Sequence, residues 1–343
     1  MEVCSLEDQQ ISSGSAERSL KRPRVDEGQE GEPEVPTEEC MRHPSLYLED
    51  GNVILRCGDT LFRFYIGLLS RKSEVFHDMF GLAQLQPNDS EKTVDGFPVV
   101  RLHDSAEDFA HLLSALLDYE SFFLQKYIPY PRFAALLRLS RKYEMEGVRK
   151  LLIHHVQKHY PTEMTGYELV MDEHGTAAEA AFTISPHPNE VLKLFWECEI
   201  MQCLPVAFYE ATSRGMNSLT SRKSKVALTR QILTPALKAL VAFNGSHLQH
   251  IRATVLTLRA CAVCKRANLM TVEHGLAPTK ADLSIFPLRD PFPKQEVSRI
   301  LCEGCAEELK ESYCNFRYSF WDELPGLFGL PTWRELSKYV ILK

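Results

Sequence analysis

The apolar positions of the chain change period several times, and the changes mark its elements. Val53, Leu55 and Cys57 alternate with Ile54 and Arg56. After Gly58-Asp59, Phe62 and Phe64 flank Arg63. Period-two alternation on both sides of a tight turn predicts a β-hairpin. The spacing then becomes helical: Leu68 and Leu69 are followed by the i,i+4 pairs Val75/Met79 and Phe76/Phe80 on one face. Polar residues and turn formers over 82–96 predict a loop, and Pro98-Val99-Val100-Arg101-Leu102 a short strand. Asp104 or Ser105 is placed to cap a helix with Glu107 and Asp108 in its first turn and Phe109, Leu112, Leu113, Leu116 and Leu117 on its apolar face. Pro131 opens another helix, at a position where a missing N–H costs nothing; it carries Phe133, Leu136, Leu137, Leu139 and Tyr143. Gly147 punctuates it, Val148, Leu151, Leu152 and Val156 continue in a further helix, and Pro161 closes that one.

Beyond Pro188 helical spacing dominates. One face is Val191, Leu194, Phe195 and Cys198. Leu204-Pro205 makes a break, and a second helix opens with Val206, Phe208 and Tyr209. Leu228, Ile232, Pro235, Leu237 and Leu240 belong to a third helix, and Leu248, Ile251, Val255 and Leu258 are spaced for a fourth. No repeat period is evident. The last apolar set, Phe316, Phe320, Trp321, Leu324, Leu327, Phe328 and Trp333, either packs the chain end onto this helical region or forms an aromatic docking patch. Strands gathered before helices, without βαβ alternation, predict the α+β class.

The stretch Phe62–Phe80 resembles the opening of a BTB/POZ domain. That family shows a strand ending in Phe-x-x-His, then Leu, Ser and a helix with an internal and a terminal Phe. Phe62, Leu69, Ser73, Phe76 and Phe80 fall on those positions. The stretch Leu136–Leu151 is similar to the helix pair that closes the domain. The whole layout looks most like fungal BTB proteins with a helical C-terminal extension. The resemblance covers roughly a third of the chain and implies an interaction domain of hairpin, short strand and helical bundle over about 43–160. Tyr65 stands at the usual His, and Asn52 stands where many members have an Asp associated with the dimer pocket. The resemblance therefore implies binding to other proteins and leaves self-association open. Its two downstream uses are a cullin-type ubiquitin-ligase adaptor and a transcriptional regulator. No hydrophobic-x-Glu element follows Phe80, and no tandem Cys₂His₂ finger is present.

Composition bounds the rest. With 44% apolar and 25% charged residues in 343, the chain can build a sizeable core. Residues 1–42, free of aromatics and rich in Glu, Ser, Pro and Gly, read as a disordered tail. Within the tail, Lys21-Arg22-Pro23-Arg24 is either a short nuclear-localisation signal or a solvated basic cluster. The acidic start predicts no signal peptide. The apolar run Ile232–Phe243 is too short and too interrupted to span a bilayer, so no membrane partner is expected and the nucleus or cytoplasm is. A net charge of −7 argues against general nucleic-acid binding.

Among ten cysteines, Cys261/Cys264 and Cys302/Cys305 form two C-x-x-C pairs. Two such pairs can close a tetrahedral Cys₄ zinc site, here a structural knuckle in a mostly α-helical region over 187–343. The 37 residues between the pairs exceed the common range of about 15–20, and four buried thiols are the other reading. His274 lies between the pairs, where a lone His reads as surface. No P-loop, dinucleotide fingerprint, H-E-x-x-H or G-x-S-x-G is present, and His154, His155 and His159 read as ordinary helix residues, so no catalytic residue and no enzyme is expected. The leading expectation is a non-enzymatic scaffold, adaptor or regulator acting through residues 43–160. The alternative is a zinc-stabilised nucleic-acid-binding or transcription-regulatory protein.

Overall fold

The computed structural model describes residues 40–84, 93–118, 127–220, 227–257, 288 and 301–340. Residues 1–39, with Lys21–Arg24, lie outside this set, as do Cys261, Cys264, His274 and most of the 82–96 loop. The class is α+β. Strand β1 spans Met41–Tyr47, β2 Val53–Cys57, β3 Thr60–Phe64, β4 Thr93–Val94 and β5 Phe97–Leu102. They form one curled sheet in the order β1-β3-β2-β5-β4. The expected hairpin is β2–β3, antiparallel from Val53↔Phe64 to Cys57↔Thr60, with Gly58 of its turn at φ 56°. Strand β5 runs parallel to β2, which requires the chain to cross over through helices α1 (Ile66–Lys72) and α2 (Glu74–Gln84). Strand β1, parallel to β3, carries no alternating pattern, so periodicity did not predict it.

The two faces of the sheet are chemically distinct. Val53, Leu55, Cys57, Phe62, Phe64 and Leu102 enter the main core, beneath α3 (Ala106–Leu117), α4 (Tyr130–Lys142) and α5 (Glu146–Gln157). Ile54 and Leu61 point to the other face and are buried apart from that core. The β4–β5 hairpin reaches across this face. Phe97 lies under the Arg63 guanidinium, 4.1 Å from its ring centroid, and Asp95 accepts hydrogen bonds from Tyr47 and Arg42 of β1 at 2.5 and 3.0 Å.

The C-terminal half is helical: α6 Met164–His174, α7 Ala177–Ala181, α8 Pro188–Glu197, α9 Leu204–Ser213, α10 Met216–Leu219, α11 Arg230–Thr257, α12 Glu303–Leu327 and α13 Trp333–Leu336. One hydrophobic core runs from Leu46 to Phe328, through both halves. Two expectations are corrected. The third and fourth C-terminal helices are one, α11, which admits Pro235 in its second turn. Gly147 lies inside the first turn of α5, and the break before it is made by Glu144 at φ 50°. The Met145 N–H closes the turn onto Ser140 O at 2.8 Å, and Met145 itself is buried. Helix α8 ends the same way: Glu199 has φ 55°, and the N–H of buried Ile200 bonds Phe195 O at 2.9 Å. This is the αL terminator that glycine usually supplies, held here by the apolar residue that follows.

Candidate protein-interaction region

Helices α1 and α2 meet at Ser73, whose backbone is extended. Its buried hydroxyl accepts from Phe76 N at 3.0 Å, capping α2, and donates to Tyr143 O at 2.5 Å. One small side chain thus joins two segments 70 residues apart. The contact continues in aromatics. Phe76 stacks on Tyr143 with ring centroids 4.4 Å apart, Phe109 meets Tyr143 edge-on at 6.2 Å, and Phe62 meets Phe109 edge-on at 5.6 Å. These offset and edge-to-face geometries suit the ring quadrupoles. Phe62–Phe80 and Leu136–Leu151 therefore pack together as one module.

Asp104 completes the lock. Ser105 caps α3, accepting from Asp108 N at 3.0 Å, which leaves Asp104 to receive Lys142 Nζ at 2.6 Å and the Tyr143 hydroxyl. Burial first, and then the hydrogen bond to Asp104, raise the Tyr143 hydroxyl pKa. Burial, reinforced by Asp104 and opposed by Lys142, pushes the Cys57 thiol up to about 12. Cys57 is therefore a packed thiol at neutral pH and not a nucleophile. Sequence reading weighed Asp104 only as a cap, because nothing local ties it to residues 38 positions away.

Asn52 and Tyr65 have local duties. Asn52 Oδ1 accepts from Ile66 N at 2.8 Å and so caps α1, and the Tyr65 hydroxyl donates to Asp50 at 2.6 Å. Gly51 lies so close to β3 that a Cβ would stand 2.8 Å from Phe64 N. The loop between β1 and β2 is thereby pressed against the hairpin.

The outer surface of this module carries arginines and isolated apolar groups. Arg42, Arg56, Arg63 and Arg101 share the outward register of the sheet. Met41 on β1 is 68% exposed, Leu82 on α2 is 67% exposed, and Leu117 at the end of α3 is also exposed. Strand β1 lies at the sheet edge, with Pro44 lacking a donor in its middle, a feature that discourages indiscriminate strand pairing.

On its far side the helix pair grips the C-terminal half. Arg141 bonds Glu197 O and pairs with Glu199 at 2.5 Å, Arg149 donates to Cys198 O at 2.7 Å, and Arg138 lies 3.5 Å from Glu197. Three cations thus face the carbonyl end of α8, where the helix dipole favours positive charge. Glu210, the one charged residue of α9, is buried and accepts from Ala177 N at 2.6 Å, tying α9 to the start of α7. Its isolation among apolar residues was the one signal that could have singled it out. The final aromatics pack inward: Trp321 lies beside Tyr167, stacks on Trp333 at 4.9 Å and donates to Thr162 O at 3.2 Å.

Of the four paired cysteines, Cys302 is the N-cap of α12, exposed, and Cys305 is buried in its first turn. Their partners Cys261 and Cys264 lie outside the described residues. Among the described residues no three His, Cys, Asp or Glu side chains are grouped to hold a metal ion, and no helix is long and apolar enough to cross a membrane. His155 Nε2 lies 3.1 Å from Ala181 O, and burial lowers its pKa; its ring neighbours are Phe133 and His159. No family model, no curated protein and no solved structure matches this chain.

Proposed function

We propose that the chain is a non-enzymatic protein-interaction protein, a scaffold, adaptor or regulator whose residues 43–160 form a BTB/POZ-type domain. The observation that carries this reading is the lock of Ser73, Phe76 and Tyr143, which joins the two family-like segments into one module. The element order supports it as well: hairpin, helix pair, strand parallel to β2, helix, closing helix pair. The buried polar groups described above serve packing, which leaves the outer surface as the working part. Scattered apolar residues on a charged surface suit a partner that buries them at the centre of an interface and meets charge at its rim.

The test is affinity capture with the intact chain and with a chain carrying Met41→Asp, Leu82→Asp and Leu117→Asp. All three positions are exposed, so the fold should survive, and circular dichroism checks that it does. Loss of specific partners is the expected result. An unchanged partner set would remove residues 43–160 as the docking surface.

The zinc knuckle belongs to the same proposal. Cys302 and Cys305 sit within one turn at the start of α12, the spacing at which a C-x-x-C pair chelates. With Cys261 and Cys264 they would hold one structural zinc. Metal analysis of the intact chain should find one zinc per chain, and none in the Cys302→Ser/Cys305→Ser variant. Metal-free protein would leave the four as thiols.

A further inference from the structure

Of the chain's 19 prolines, two directly follow a serine or threonine: Pro186 after Ser185 and Pro235 after Thr234. The structure gives these two dipeptides opposite surroundings. Thr234 lies within α11, its backbone committed to helical hydrogen bonding. Ser185 lies between α7 and α8 in a short arch, 183–187, that has no regular structure. The arch is pinned at both ends. Phe182 is buried edge-on against Tyr130 and Phe133, and His187 caps α8, accepting from Asn189 N at 3.2 Å. Both anchors are extended, Phe182 at φ −126°, ψ 145° and His187 at φ −65°, ψ 134°. Between them Thr183, Ile184 and Ser185 are exposed, with Ile184 at 79%.

We infer that Ser185 is a phosphorylation site for a proline-directed protein kinase. Such an enzyme needs an accessible Ser-Pro outside regular structure, and the arch presents one, exposed between two extended anchors. In the reaction Ser185 Oγ forms a bond to the γ-phosphorus of a nucleoside triphosphate. The bond from that phosphorus to the β–γ bridging oxygen breaks, the diphosphate leaves, and the hydroxyl proton passes to the kinase's base. The product carries roughly −1.5 to −2 charge at neutral pH.

That charge appears two residues before the N-cap of α8, a ten-residue helix. His187 is the nearest titratable neighbour along the chain. Burial and then Arg214 lower its pKa, while Glu190 raises it. A phosphate at Ser185 sets a second negative charge beside His187 and so favours its imidazolium.

The experiment treats the intact chain with a proline-directed Ser/Thr kinase and Mg-ATP, maps the phosphate by mass spectrometry, and uses a 179–191 peptide as positive control for the kinase. The expected result is phosphate on Ser185, none on Thr234 and none in the Ser185→Ala chain. The proposal is overturned if Ser185 stays unmodified in the intact chain while the peptide is phosphorylated, or if Thr234 is modified equally. Proton NMR should then find His187 titrating higher in the phosphorylated chain than in Ser185→Ala. An unchanged titration would overturn the assignment of His187 as the group that senses the phosphate.

Discussion

On one side the α4–α5 pair is held to α1–α2 by stacked aromatics and a buried hydroxyl; on the other it is held to α8 by arginines reaching backbone carbonyls. The first contact is dry and geometric. Phe76 is fully buried, and Ser73 spends both its hydrogen-bonding directions inside the protein. The second is half-wet: the Arg141 and Glu199 side chains are 44% and 65% exposed. Water competes for the second contact and is excluded from the first. The two seams should therefore differ in energy and in salt response, and the module proposed to bind partners should depend on the dry one.

The largest effect belongs to Phe76→Ala, which empties the stack between Phe80, Phe109 and Tyr143. It should cost about 3–5 kcal/mol in chemical denaturation. A loss near 1 kcal/mol would mean that the stack does not hold the module together. Ser73→Ala strands the Phe76 N–H in the interior and removes one bond from Tyr143 O. The expected cost is about 1–3 kcal/mol, insensitive to salt. Arg149→Met keeps the apolar stem but leaves Cys198 O without this donor, and should cost about 1–2 kcal/mol. Arg141→Ala should cost about 1 kcal/mol or less, shrinking further in 1 M NaCl. An equal salt response at Ser73 and Arg141 would erase the contrast.

Two smaller tests address the helix ends. Glu144 is exposed and left-handed, so Glu144→Gly should raise stability by about 0.5–1 kcal/mol, measured as a higher midpoint. A loss instead would assign Glu144 a role beyond its backbone. His155, against the last turn of α7, has a folded pKa below its ordinary 6.5 because of burial. The folded protein therefore binds fewer protons there than the unfolded chain. The resulting stability is intact above pH 6.5 and drains away as pH falls through the folded value. Thermal melts from pH 8 to 5 should decline less steeply in His155→Leu. His43, His111 and His187, whose pKa values are also lowered, sustain the remaining slope.

Legibility followed locality. The β2–β3 hairpin, the Ser105 cap and the apolar faces of α2, α3 and α4 each rest on residues within a few positions of one another, so their spacing announces them. The two segments Phe62–Phe80 and Leu136–Leu151 were legible as elements because each is such a local pattern; that they pack together through Ser73, Phe76 and Tyr143 was not. The glycine rule failed at Gly147 because two helices end on glutamates held left-handed by a buried apolar neighbour, Met145 after Glu144 and Ile200 after Glu199. The arginine clamp, the Asp104 node and the Glu210 tie join residues 33 to 59 positions apart. Arg141, Asp104 and Glu210 look like ordinary charged residues until the partner arrives.

What the sequence by itself determined was the set of parts: the hairpin, the amphipathic helices and the division into a strand-bearing and a helical half, because periodicity is a property of short windows. Only the tertiary structure decided that β5 pairs with β2 in parallel, that β1 joins the sheet, and that Ser73 reaches Tyr143. Those choices rest on burial and hydrogen bonding between segments far apart in the chain, where the free energy of each residue depends on a neighbour that linear order does not name.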